Sequence, residues 1–330
     1  MTVTLYKSTD ASAPVDNGTV GSLCTILDAC LANGYGTQPA AGWTIAYTGT
    51  NKRDYKQGTG SNGYYLDVDD SGPGAGGGRE ARMRGYEAMT ALGTGTMPFP
   101  TTAQATNGVF CRKSSTADST ARPWYLIADS TCFYLFIDTG DLANPSYSTT
   151  FMFGDIFSYK SGDVYNTAII GRSTENSFAA QVDQLSAVSA QNAFSQAIAG
   201  HYIDRTWTGV GGSVNCGKIS SGFCTGISNP GEGGIMGVGD AFSQLPYPNG
   251  PDGALELAPI FVAHNNALRG YLKGLWAPCH RQPCGHGDTF TGTGNMAGKS
   301  FLALNTPYMW GGTWNSYGGQ LVVETSNTWS

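Results

Sequence analysis

PWYLIADSTCFYLFID, residues 123–138, decides the fold class. Two runs rich in aromatic and branched residues flank Asp129-Ser130, a pair suited to a tight turn. That pattern is a β-hairpin. Working outward, the neighbouring segments have the same character. WTIAYT (43–48), GYYLDVD (63–69) and REARMRGYEAM (79–89) read as strands. GTGSNG (58–63) and SGPGAGGG (71–78) read as the turns between them. On the other side, TTFMFGDIFSYK (149–160) and YNTAIIGRS (165–173) continue the sheet, and VTLYK (3–7) supplies a further strand.

One segment breaks the β pattern. Over residues 19–32, Val20, Leu23, Ile26, Leu27, Cys30 and Leu31 recur at helical spacing, and Asn33 or Gly34 stops the run. The spacing predicts an amphipathic helix that buries Leu23, Ile26, Leu27 and Leu31 against the first sheet. Residues 1–173 therefore form one α+β unit. Residues 174–254 read as a loop-rich or partly helical extension: SFAAQVDQLSAVSAQNAFSQAIAG is rich in Ala, but its Ser and Asn weaken a helix. A C-terminal β unit, 255–330, begins at LELAPIFVAH and continues through ALRGYLKGLW, KSFLALN and GQLVVET. The expected class is α+β and predominantly β: antiparallel sheets or sandwich-like units with one N-terminal helix, the two β units free to pack as one body.

Composition narrows the function. Charged residues are 13% of the 330, about half the usual ~25%. Glycine, at 47, is about twice its average share. Such a surface has little charge to hold neighbours apart, which suits packing against copies of itself or other proteins. The 18 basic residues form no cluster and the net charge is −6, which argues against nucleic acid as a partner. No run of 18 or more apolar residues is present, so no membrane span is expected. MTVTLYKSTD lacks the apolar core of a secretory signal, so synthesis in a cytosol is expected.

Eight cysteines are unusual for such a product. LWAPCHRQPCGHGDTF (275–290) concentrates Cys279, His280, Cys284 and His286 within eight residues. Zinc sites usually pair two ligands with a second pair a dozen or more residues away. Metal is therefore the weaker reading here, and a disulfide within the loop or to another chain the stronger. Cys216 and Cys224 flank GKISSGF at a spacing suited to an intramolecular bridge. Cys24 and Cys30 lie about 9 Å apart along the expected helix, too far to bridge each other. Cys30 and Cys132 read as core thiols, and Cys24 stays open as a cross-link candidate. Asp67 and Asp69 share a strand face, where a pair of glycosidase carboxylates could sit, but solvated turn acids are the commoner explanation. Neither G-x-S-x-G nor H-E-x-x-H occurs, and no catalytic residue or cofactor is expected.

LYKSTDASAPV (5–15), GSLCTILDACLANGYG (21–36), AGWT (41–44) and GTNK (49–52) resemble the start of virion structural proteins of tailed bacteriophages. YYLDVDD (64–70) and RMRGYEAMT (82–90) fit the same pattern, and LRGYLKGLWAPCH, HGDTF and VVET resemble the end of such proteins. The family pattern has Leu at the position of Cys24, so the thiols are a feature of this chain. The resemblance implies a non-enzymatic virion component made in the bacterial host cytoplasm. It would sit on the head exterior or neck as a minor capsid, decoration or collar protein, or in the tail or baseplate. Its partners would be other virion subunits and its own copies. Thiols of the 275–290 loop would then cross-link within the particle after release from the cell.

Overall fold

The computed structural model describes residues 2–140, 149–172, 199–215, 217–220, 253–264, 267–278, 284–305 and 320–329. Along the chain run β1 (Thr4–Lys7), α1 (Ser22–Leu27), β2 (Thr44–Gly49), β3 (Lys52–Lys56), β4 (Tyr65–Asp69), β5 (Glu80–Ala91) and β6 (Thr94–Phe99). Then follow β7 (Val109–Arg112), β8 (Trp124–Ala128), β9 (Cys132–Ile137), β10 (Thr149–Asp155), β11 (Phe157–Ser158) and β12 (Thr167–Arg172). Next come β13 (Ala199–Arg205), β14 (Gly211–Asn215), β15 (Gly217–Ser220), β16 (Leu257–His264) and β17 (Ala267–Pro278). The chain closes with β18 (Thr289–Thr291), β19 (Ser300–Asn305) and β20 (Gln320–Glu324). All pairings are antiparallel among the described strands.

Two sheets result. The first orders its strands β1-β8-β9-β10-β12-β7-β5-β4-β3-β2, with β6 beside β5 and β13–β14 branching from β12. The second runs β15-β16-β17-β20-β19-β18. The hairpin β8–β9 has the sequence-predicted pairing, Trp124 opposite Ile137 through Ala128 opposite Phe133. Asp129 shapes its turn: one carboxylate oxygen accepts from the Thr131 amide at 2.7 Å, the Thr131 hydroxyl at 2.8 Å and the Cys132 amide at 2.9 Å.

This hairpin lies at the centre because it is apolar on both faces. Phe133, Leu135 and Ile137 join the core around α1. Cys132, Tyr134 and Phe136 face the other way, into a second core with Ile260, Val262, Leu272 and Leu275 of the C-terminal sheet. The alternation of side chains along one strand thus builds two cores. The C-terminal sheet is also tied to the first half by β11, which leaves the first sheet and pairs Phe157 with Tyr271 and Ser158 with Gly270. Residues 149–160 were expected to continue one sheet; they divide between two. Ile156 marks the break, with Asp155 held to Thr131 on one side and Phe157 paired to β17 on the other.

The N-terminal helix differs from expectation in length and form. The α-helical part is Ser22–Leu27, and Asp28–Asn33 continue it as a wider π-helical turn. Gly21 at φ +83° precludes an earlier start, so Val20 lies outside the helix and is exposed. At the far end, the Gly34 amide donates to the Ala29 carbonyl at 2.7 Å. The Cys30 and Leu31 carbonyls accept from Ala41 and Trp43, at 2.9 and 3.0 Å. Carbonyls that helix ends leave unpaired are satisfied here by the approach to β2. The predicted face is as read: Leu23, Ile26, Leu27 and Leu31 are all fully buried. The stretch read as loop-rich contains β13, β14 and β15 as described strands.

Candidate interaction surface

Seven large apolar residues are exposed among the described ones: Val15, Val20, Phe157, Tyr159, Val164, Val210 and Leu268. Five of these belong to three segments that converge on one buried side chain, Arg269. Its guanidinium forks onto Asp163, Nε to Oδ2 at 2.7 Å and Nη2 to Oδ1 at 2.9 Å. It also donates to the carbonyls of Tyr165 and Arg205, each at 3.2 Å. The Arg269 carbonyl accepts from the Tyr159 amide at 2.9 Å. The side chains of Arg269 and Asp163 are each 1% exposed, so the ion pair itself is shut off from water.

Local sequence explains the clamp. Asp163 also accepts from the Ser158 hydroxyl at 2.6 Å and the Tyr165 amide at 3.2 Å. Burial pushes its carboxyl up, but the bonds from Arg269 and Ser158 outweigh this and hold it below the ordinary range. The segment 157–165 is thereby pinned on the C-terminal sheet while Phe157, Tyr159 and Val164 point outward. Phe157 stacks on Tyr271 with centroids 4.5 Å apart, and Tyr159 packs against both rings. Val210 and Leu268 are exposed beside the clamp. The exposed rings of Phe157 and Tyr159, packed on Tyr271 over this rigid base, suit protein association. The Ser158 hydroxyl is committed to Asp163.

The carboxylates singled out in the sequence are arranged differently. Asp69 binds the Lys52 ammonium at 2.7 Å and accepts from the Ser71 hydroxyl. Although its partial burial acts upward, these partners draw it below the ordinary range. Asp67 instead neighbours Asp54, directly opposite on β3. Burial, followed by the charge of Asp67, raises Asp54 to about 8. Asp67 is raised as well, chiefly by burial. Asp67 is thus paired across the sheet with Asp54, while the charge of Asp69 also acts on it. Asp54 is fully buried and cannot reach a sugar, as a general acid must. Sequence reading missed Asp54 because its partner lies on another strand.

The thiols divide by burial. Cys24, Cys30 and Cys132 are buried, and burial pushes each upward, Cys24 to about 12. Cys24 is 2% exposed and cannot serve as a cross-link to another chain, because its neighbours in the first core shield the sulfur. Cys284 is half-buried and raised by burial and then by Asp288. His286 is exposed and meets the Tyr125 ring edge-on at 5.7 Å. Cys279, His280, Cys216 and Cys224 lie outside the described residues. No cluster of three or more metal-ligating side chains occurs among the described residues. No helix among them is long and apolar enough to cross a membrane.

Fold and surface together define a two-sheet, predominantly β protein with an exposed apolar patch anchored by a buried ion pair. No family model matches the chain, and no curated protein matches it.

Proposed function

We propose that the chain is a non-enzymatic structural component of a tailed-bacteriophage virion, placed on the head exterior or neck as a minor capsid, decoration or collar protein. The observation that carries this reading is the gathering of Phe157, Tyr159, Val164, Val210 and Leu268 around the Arg269–Asp163 clamp. Apolar surface of this kind is costly to leave in water and is the usual mark of a contact with another protein. The low content of charged residues points the same way, since neighbouring copies would meet little repulsion. Resemblance of the two ends of the sequence to virion structural proteins supplies the particular setting. The partners are other virion subunits and copies of the chain itself. Thiols of the 275–290 loop add covalent cross-links in the released particle.

The test uses gradient-purified particles of the phage that encodes the chain. An antibody against the chain should label intact particles at a fixed location, and non-reducing gels should show bands of more than one chain mass that reductant collapses. The double substitution Phe157→Ser, Tyr159→Ser should leave the thermal unfolding of the isolated chain nearly unchanged and cut its incorporation into particles at least tenfold. Particles lacking the chain would overturn the reading. Incorporation indifferent to the double substitution would remove this surface from it.

A further inference from the structure

A second group of buried charges lies where the N-terminal loop enters α1, and it is independent of the association surface. Lys113 follows β7 and is fully buried, as are Asp16 and Asp70. The Lys113 ammonium donates to Asp70 Oδ1 at 2.5 Å and to the Thr19 carbonyl at 2.6 Å. The other Asp70 oxygen accepts from the Leu23 amide at 2.9 Å, in the first turn of α1. Asp70 is therefore fully engaged, holding the cation on one side and the helix start on the other.

Asp16 is not so provided for. Its Oδ1 receives the Ser22 hydroxyl at 3.2 Å, but that single proton also faces the Asn17 carbonyl at 2.9 Å and the Thr19 carbonyl at 3.2 Å. Its Oδ2 is buried with no hydrogen-bond partner among the described residues. Among the described residues, Lys113 is the cation whose charge acts on Asp16. Arg122 gives its backbone amide to the Asp16 carbonyl at 2.9 Å, while its guanidinium donates away, to Ser114 and Thr116. Asp118 presents its backbone carbonyl to Gly18. Arg79 lends Lys113 its backbone carbonyl, and its guanidinium donates to Gly76. Cys24, on the helix side, is a thiol held neutral by burial. The charged neighbours of Asp16 are thus Lys113 and Asp70, and those two already neutralise each other.

We propose that Asp16 is a proton-operated latch: neutral, it keeps residues 16–22 folded over the start of α1, and on losing its proton it leaves the cluster and frees that segment. With Asp16 protonated, the buried group has one positive and one negative charge. With Asp16 ionised it has a net negative charge, and the unpartnered oxygen has no donor to offset its lost hydration. The cheapest relief is to swing the carboxylate into water, and the loop carrying it must follow. Burial, partly offset by Lys113, places the titration of Asp16 at about 8, so the latch works just above neutrality.

The test is hydrogen exchange on the full chain between pH 6.5 and 9.5, corrected for intrinsic exchange and followed in peptides spanning residues 16–27. Protection in the wild-type chain should fall at least tenfold with a midpoint near pH 8, while peptides of β9 and β10 stay protected. Asp16→Asn, neutral at every pH, should abolish the transition. Ser22→Ala removes the side-chain donor that favours the charged form, so it should move the midpoint upward and gives a second reading if the Asn variant does not fold. A flat wild-type profile, a transition that persists in Asp16→Asn, or a midpoint unmoved by Ser22→Ala would overturn the latch.

Discussion

Leu27 shows what a single residue contributes here. Its side chain is fully buried in the first core, where α1 meets strands from both ends of the first sheet. Leu27→Ala should cost about 2–5 kcal/mol, read from the shift of the urea midpoint at unchanged slope. Gly154 shows a different constraint. Its φ is +141°, and a Cβ there would sit 2.3 Å from the Cys132 Cα and 2.4 Å from the Thr131 carbonyl oxygen. Those are backbone atoms of a paired strand and cannot swing aside. Gly154→Ala should therefore destabilise by more than the about 1 kcal/mol at which typical point substitutions centre, checked in the same titration. The buried face of α1 was legible because helical spacing is a local signal. The Gly154 contact was not, because it depends on which strand lies opposite.

At the scale of the element, the segment 157–165 is held by one side chain from a strand more than a hundred residues away. Arg269→Leu leaves Asp163 buried without its cation, and breaking such a pair costs about 3–5 kcal/mol. The expected outcome is that loss in a denaturation curve, together with faster proteolysis within 157–165. If the segment stays protected, Ser158 and the backbone suffice to hold it. Several elements were readable in advance: the β8–β9 hairpin and the four long C-terminal strands follow the runs of apolar residues. The departure of β11 to the second sheet was not readable, because Phe157 and Ser158 form a two-residue strand whose partner is fixed by tertiary contacts. The π-helical turn was equally hidden, since its carbonyls bond to Ala41 and Trp43 beyond the helix. Among the candidate site residues, the loop cysteines and the aspartates stood out by type, while nothing in the local sequence marks Arg269 or Asp163. Their importance lies in a contact 106 residues apart in sequence.

For the whole molecule, the buried acids make stability depend on pH in an unusual direction. Asp16, Asp54 and Asp204 are each raised to about 8, in every case mainly by burial. For Asp204 the charge of Glu87 adds to it, Glu87 being itself held by Arg205. An unfolded aspartate loses its proton near its ordinary value of about 3.9. Between that value and about 8 the folded chain holds protons that the unfolded chain has released. Stability then falls as pH rises, by about 1.4 kcal/mol per pH unit for each proton retained. The carboxylates held low, Asp69, Asp118 and Asp163, act in the opposite sense, but only below the ordinary range, so they leave the window above pH 5 untouched. The protein should be more stable at pH 5 than at pH 8, with the loss complete once the raised groups have ionised. Urea unfolding at half-unit steps from pH 5 to 9 measures this directly. Asp54→Asn should flatten the slope by one proton's share, since the amide is neutral in both states. A stability that rises from pH 5 to 8 would mean that these carboxyls are ionised in the folded chain, with donors or water reaching Asp16, Asp54 and Asp204 inside the fold.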